Sequence, residues 1–298
     1  MKVHFDNVNL GSSSGPNSFA SKLVTQFKKR GVGITPLSEA DISLCFIESK
    51  NFNLNKPRIQ RLDGIYFNTD FDYNKQNVNI KKVYDDSDAV VFQSRFNQEL
   101  ITRYFGEPRQ YQIIHNGADI EAIEEAPRII NNKYENIWCC AASWRPHKRL
   151  SENIRYFLEH SGHKDALFIA GNVPEQEKVQ DSKIIYMGNV AQRHLYSLYK
   201  VSRYFVHLAW LDHCPNVVVD ARASGCQIIC SNAGGTVEIA GEDAIVIDEE
   251  EWDFKPVKLY EPPRLNFEKK LNNSLHTDYN MDSVADKYEN FLKLTLNS

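Results

Sequence analysis

Two carboxylates, Asp212 and Asp220, stand eight positions apart in the run Ala209–Glu238, AWLDHCPNVVVDARASGCQIICSNAGGTVE. Between them a Cys214-Pro215-Asn216 turn opens a Val-rich segment that continues through Val217 and Val218. Pro215 at a first helical position is pre-organised for starting a helix. The N–H groups of such a first turn, backed by the helix dipole, attract phosphate or a polarised hydroxyl. Asp220 falls about one and a half turns along that helix, where a carboxylate accepts hydrogen bonds from a diol such as ribose. Taken singly, Asp212 also reads as a helix-capping acid and Asp220 as a solvated helix residue. Together, with a Gly234-Gly235 turn closed by Glu238 behind them, they suit a ligand bearing negative charge and many hydroxyls. A sugar nucleotide is such a ligand.

A basic turn offers the complement. Ala141–Leu150 reads AASWRPHKRL, a strand running into Arg145, His147, Lys148 and Arg149 before a helix. Arg grips a diphosphate bidentately and Lys acts as a mobile point charge. A solvated basic turn is the plainer alternative. Arg145, His147, Lys148 and Arg149 all remain candidates on the residues alone, with Arg149 not set aside. Gly15, in GSSSGPN after the first strand, permits close approach of backbone to phosphate, and reads equally as part of a plain loop. Gly171-Asn172 and Gly188-Asn189-Val190 each end a strand and can border a nucleotide. In the first half, Arg61 and Asp63 sit beside Gly64; a lone buried Arg–Asp pair is more often structural.

These side chains need a scaffold. The run Arg203–Trp210, RYFVHLAW, is apolar, aromatic and bounded by charge, so it reads as a buried parallel strand. Asp212 then lies just past its carboxyl end, where open α/β sheets bind ligands. Comparable runs predict strands at 3–8, 42–47, 60–67, 89–93 and 112–115, then at 137–142, 166–170, 183–187, 204–209, 227–230 and 244–247. Helical patterns fit 18–30, 79–87, 95–105, 151–160, 192–200, 216–224 and 281–296. Alternation of this kind predicts parallel sheets covered by helices, the α/β class. The polar stretch 121–136 is the linker candidate between two halves.

The 298 residues leave room for two domains of ordinary size. A net charge of −4 provides no basic field for nucleic acid. No apolar run is long enough to span a bilayer, and MKVHFDNVNL reads as a short strand rather than a signal peptide. The six cysteines form no C-x-x-C pair and several fall in predicted strands. They read as reduced core residues of a cytoplasmic protein, not as a metal or disulfide framework.

The segment around the two acids resembles the donor-binding segment of the retaining, GT-B-fold glycosyltransferases of family four (glycosyl transferases group 1). The shared pattern comprises Asp212 and Asp220, the helix end Ala223-Ser224-Gly225, and Gly234-Gly235-Thr236-Val237-Glu238. Members usually carry Glu at both acidic positions; Asp keeps the charge and shortens the reach by one methylene. The likeness extends into 87–119, where SDAVVFQSRFNQELITRYFG and IIHNGAD look like the family's last first-domain unit. No G-x-G-x-x-G follows the first strand, which argues against a dinucleotide enzyme.

The resemblance implies two Rossmann-like domains facing each other across a cleft. Residues 1–122 would form the acceptor side and 123–280 the donor domain, with a last helix at about 281–298 packing back on the first. It implies transfer of a sugar from a nucleoside-diphosphate sugar to a glycan, lipid-linked or small-molecule acceptor, with retention of configuration and no metal or other cofactor. Asp212, Arg145 and Lys148 would be catalytic, the acid orienting sugar hydroxyls and the cations offsetting charge on the leaving diphosphate. Gly15, Gly171, Asn189, Val190, Cys214, Pro215, Asn216, Val217, Val218, Asp220 and Glu238 would line the donor. Main-chain groups after Gly188 would read the base. Arg61 and Asp63 would face the acceptor. No protein nucleophile is evident, so the implied chemistry is front-face transfer in which the leaving phosphate takes the acceptor's proton. A sugar-nucleotide epimerase of the same fold and a non-catalytic nucleotide-sugar binder are the alternatives. Expected partners are the donor and acceptor, with peripheral membrane contact compatible and nucleic acid excluded.

Overall fold

The computed structural model describes residues 1–12, 14–52, 54–272 and 278–298. Ser13, in the expected GSSSGPN turn, lies outside the described residues. The chain divides into two compact units, one of residues 1–117, 253–257 and 278–298, the other of 118–252 and 258–277.

The first unit is built on β1 (Lys2–Asp6), α1 (Gly15–Lys29), β2 (Gly33–Ile34), β3 (Ile42–Phe46), β4 (Arg58–Leu62), α2 (Tyr73–Asp86), β5 (Ala89–Phe92), α3 (Arg95–Phe105) and β6 (Tyr111–Ile113). Its six strands pair in the order β2-β1-β3-β4-β5-β6, all parallel. Every residue of β3 and β4 is buried, as a sheet covered on both faces requires. β2 is not among the expected strands, β1 ends at Asp6 rather than residue 8, and three further elements differ for identifiable reasons. α1 begins at Gly15 rather than residue 18, because Pro16 fits a first helical turn whose N–H groups have no helical partner. α2 begins at Tyr73 rather than 79; the Asp72 side chain caps it by accepting from the Lys75 amide at 3.0 Å. Its first two turns are polar and Asn-rich, so they carry no apolar period to read. β4 spans Arg58–Leu62 rather than 60–67, since Asp63 and Gly64, the latter at φ 147°, turn the chain away.

The second unit comprises α4 (Ile120–Glu125), β7 (Ile137–Ala141), α5 (Leu150–His160), β8 (Ala166–Ala170), β9 (Ile184–Gly188), α6 (Gln192–Tyr199), β10 (Tyr204–His207), α7 (Asn216–Ala223), β11 (Gln227–Ser231), α8 (Thr236–Ile239), β12 (Ile245–Ile247) and β13 (Lys269–Lys270). The strand order is β13-β12-β11-β10-β7-β8-β9, parallel except for the edge pair β12–β13. Its core gathers Trp138, Phe157, Leu167, Val206 and Ile229 among others. The expected linker holds α4, capped by Asp119 at one end. At the other end the Lys200 ammonium donates to the carbonyls of Ile123, Glu124 and Ala126 at 2.8–3.1 Å, a cation on a helix carboxyl terminus.

The chain then returns to the first unit as α9 (Met281–Leu296). Met281, Val284, Ala285, Tyr288, Phe291, Leu292 and Thr295 form its buried stripe, at the spacing of one helical face. Arg30, just past α1, binds Asp286 and, at 2.6 Å, Asp282 on α9. Among the described residues no helix is long and apolar enough to cross a membrane. α9 seats against Gly117, where a Cβ would lie 2.8 Å from the Met281 Cα. Gly117→Ala should therefore destabilise the first unit by about 1–3 kcal/mol, the usual cost of forcing atoms into packed backbone. Urea unfolding should show it as a lowered midpoint; an unchanged midpoint would refute the close seating.

Candidate active site of the second unit

The strand order of the second unit places the site. From β7 the chain moves outward through β8 and β9, then returns to lay β10 on the other side of β7 and moves away through β11 and β12. The connections after β7 and β10 therefore diverge, leaving a crevice at their carboxyl ends, the place where open parallel sheets take ligands. The loop after β7 carries Arg145 and Lys148; the loop after β10 carries Asp212 and leads into α7.

Three side chains meet there. The Lys148 ammonium contacts Asp212 Oδ2 at 2.5 Å, and His207 Nε2 lies 2.9 Å from the same oxygen. The other oxygen, Oδ1, accepts the His213 amide at 3.0 Å. Burial alone would raise the Asp212 carboxyl; the Lys148 charge and the His207 hydrogen bond hold it well below the usual carboxylate range. Burial lowers His207, against the pull of Asp212. The ring is therefore neutral at pH 7, and facing an acceptor-only carboxylate it must carry its proton on Nε2. Burial also lowers His213 to about 4, with Lys148 adding to the effect. His147 falls to about 3, from burial first and then from Lys148. Cationic character in this cluster is left to Lys148 and the exposed Arg145.

Backbone contacts lock the two loops. The Trp210 amide donates to the His147 carbonyl at 2.7 Å, joining one loop to the other. Leu211 adopts φ 56°, an uncommon conformation for a branched residue, and its amide reaches Ala233 O at 3.1 Å. The Gly235 amide donates to Asp212 O at 2.7 Å, and a Cβ on Gly234 would lie only 2.7 Å from that oxygen. The Gly-Gly turn therefore packs on the backbone of Asp212 itself. Gly171 plays the same part for the basic turn. At φ 101° it sits against the Ala142 carbonyl, and the Trp144 indole donates to Ala170 O at 3.0 Å.

Arg149, adjacent to Lys148, goes the other way. It adopts φ 51°, is 2% exposed, and grips Glu249 with both terminal nitrogens while donating to Pro263 O at 2.8 Å. It joins the end of β12 to the later loop and cannot reach a ligand without leaving that pair. The Asn153 side chain holds the Lys148 and Arg149 carbonyls at 3.0 and 2.8 Å.

The remaining candidates are distributed as follows. Pro215 is the capping residue of α7 rather than its first helical residue, with extended ψ of 121°. Its carbonyl takes the Val218 amide at 3.1 Å, and the Val218 side chain is wholly buried. Cys214 is buried, while Asn216 and Val217 at the helix start are half-buried. Asp220 is not a solvated helix residue: it is 6% exposed and hydrogen-bonded to the Tyr196 phenol of α6. Burial raises that phenol, and the charges of Asp220 and Asp119 raise it further. Glu238 is half-buried on α8. Gly171 and Gly188 face one another across a 2.8 Å hydrogen bond, with Asn189 exposed and Val190 half-buried beyond. In the first unit Gly15 is the exposed first residue of α1. Arg61 is fully buried there between Asp63, Asn116 and Tyr288, with its guanidinium 4.1 Å from the Phe19 ring centre. Burial raises the Asp63 carboxyl in spite of Arg61.

His207, Glu249 and Tyr196 escape sequence reasoning. The available signal for His207 is a lone imidazole in the apolar strand FVHLAW, five residues before the acid it binds. Glu249 and Tyr196 have no such local mark. Arg149→Met should cost the second unit about 3–5 kcal/mol by stranding the Glu249 charge. Adding Glu249→Met should recover much of that in urea unfolding, and a fully stable single variant would show that the pair is not structural.

Residues 135–257 match the family of glycosyl transferases group 1. No curated protein sequence matches the chain. Among solved structures, HepE from Anabaena in complex with UDP-glucose has a TM-score of 0.68 at 13% identity, covering 99% of this chain and 100% of that one. Sucrose-phosphate synthase from Thermosynechococcus elongatus has a TM-score of 0.64 at 12% identity, over 95% of this chain and 79% of that one. WaaG, a glycosyltransferase involved in lipopolysaccharide biosynthesis, has a TM-score of 0.62 at 10% identity, over 100% and 94%. Residues 135–257 thus resemble the glycosyl transferases group 1, and the chain as a whole has the GT-B fold.

Proposed function

We propose that the protein transfers a sugar from a nucleoside-diphosphate sugar to an acceptor hydroxyl with retention of configuration. The observation that carries this is the held cation: Lys148, fixed at 2.5 Å by Asp212 on the loop that leads into α7, where the connections after β7 and β10 diverge. A diphosphate placed there meets Lys148, the exposed Arg145 and the helix dipole together. These groups offset the charge that grows on the leaving group. Asp220, buried in α7 and tied to Tyr196, supplies a fixed acceptor for the ribose diol. Asp212 orients sugar hydroxyls with its remaining lone-pair capacity, and Glu238 supports the turn behind it. The structure of HepE with UDP-glucose makes a uridine donor the first to test.

In the reaction, the bond from the anomeric carbon to the diphosphate oxygen breaks as the acceptor oxygen bonds to the same face. The acceptor's proton passes to the departing phosphate, so no protein nucleophile and no metal is required. The first unit contributes acceptor contacts, with buried Arg61 holding the partly exposed Asp63 in place rather than touching the acceptor itself, and the reaction takes place in the cytoplasm.

Calorimetric titration with UDP-, GDP- and ADP-sugars tests the donor site. One of them should bind, and Lys148→Ala and Asp220→Asn should each weaken it about tenfold to a hundredfold, the worth of one hydrogen bond to a charged group. Undiminished binding by both variants would sink the assignment. Turnover should survive EDTA, and the product anomer, read by NMR, should match that of the donor. Inversion or a metal requirement would overturn that part of the proposal.

A further inference from the structure

His207 has no part in the functional reading above, yet it is the side chain that the site is built around. It ends β10 with 4% of its surface exposed, inside an otherwise apolar strand. Its Nε2 lies 2.9 Å from the Asp212 oxygen that also takes Lys148. Asp212 therefore receives three donors: the ring, the ammonium and the His213 amide. Lys148 carries three N–H groups, and among the described residues Asp212 is the carboxylate that takes one of them. The Lys148 side chain retains 20% exposure and that of Asp212 13%, so the pair has its outer side open and its inner side on His207.

We infer that His207 is a positioning residue: its Nε2–H fixes the Asp212 carboxylate in the rotamer that presents the Lys148 ammonium to the donor diphosphate. This rests on the donor-site reading given above. A lysine on a four-carbon stem is otherwise mobile, and holding it in place before the ligand arrives lowers the ordering cost of binding. The neighbouring groups on the elements packed here are His147, His213 and Arg145, of which the His213 amide gives Asp212 its third donor. The imidazole is the inner support of the carboxylate.

The test is a double-mutant cycle read by calorimetry with UDP, with GDP and ADP alongside. His207→Phe keeps a ring and removes the donor; His207→Gln puts an amide N–H near the Nε2 position. His207→Phe should weaken the tightest nucleoside diphosphate about tenfold, and His207→Gln should restore most of that. In a Lys148→Ala background His207→Phe should have little further effect, because its influence passes through the lysine. A purely structural role would weaken binding equally in both backgrounds, and that result overturns the inference. If Lys148→Ala weakens binding and His207→Phe does not, the inference fails while the donor-site reading stands. If neither does, both fail. Should His207→Phe not fold, imidazole 15N shifts of the wild-type protein decide. Protonated Nε2 with bare Nδ1 at pH 7 is the required form, and the other tautomer overturns it.

Discussion

One partly buried ion pair, Lys148 with Asp212, constrains much of the second unit's site. Bringing two charges out of water is costly unless the geometry is good and the remaining valences are satisfied. Here Asp212 is satisfied by three N–H groups, so its charge is kept and its carboxyl stays ionised. The surrounding backbone follows from that requirement. Leu211 takes a left-handed conformation, Gly234 admits the Asp212 carbonyl, and the Trp210 amide ties the acid's loop to the lysine's loop. Each contact limits where the carboxylate can go. A site held in this way needs little rearrangement when charge develops on a bound ligand, which is the source of electrostatic preorganisation.

The adjacent residues Lys148 and Arg149 show how one basic turn separates into two tasks. They carry the same charge and neighbour each other, but the left-handed φ at Arg149 turns its side chain into the unit. There the planar guanidinium matches Glu249 with two parallel bonds, which an ammonium cannot do. Lys148 is left at the rim, its ammonium held there by Asp212. Asn153 holds both carbonyls, so the two orientations are coupled through one amide side chain. The rigid member of the pair anchors the turn that presents the exposed one.

The alternation of apolar strands with amphipathic helices is strong enough that the α/β class and the positions of β3, β5, α3 and α7–β11 are legible in sequence. Boundaries are lost where local chemistry opposes the period. The Asn-rich start of α2 has no apolar face, and β4 buries Arg58 and Arg61, which hydrophobicity assigns to the surface. Within the site, Lys148 and Asp212 are legible because each follows a strand end and precedes a helix. Which of the four basic residues in the turn does what is not legible, since it depends on a backbone φ at Arg149 and on Glu249, a hundred residues away. His207 is hidden for a related reason: in an apolar strand an imidazole is first a core residue, and only the fold shows that its inward nitrogen meets an acid.

The shorter acid at position 212 also has a physical consequence. A carboxylate on one methylene stays close to its own backbone, within reach of the His213 amide next to it and of groups on the neighbouring strand end. Its polar contacts are accordingly made inward, to His207 and Lys148, and its open capacity is a minority of its lone pairs. The site's charge balance then becomes local. Lys148 and Asp212 cancel, His147, His207 and His213 stay neutral at pH 7, and among the described residues no acid pairs with Arg145. On the proposed donor-site reading, the basic turn with Asp212 and Glu249 presents one uncancelled cation, so attraction comes from direction more than from total charge. The orientation of one ammonium, and whatever fixes it, therefore carries more weight here than the number of basic residues in the turn.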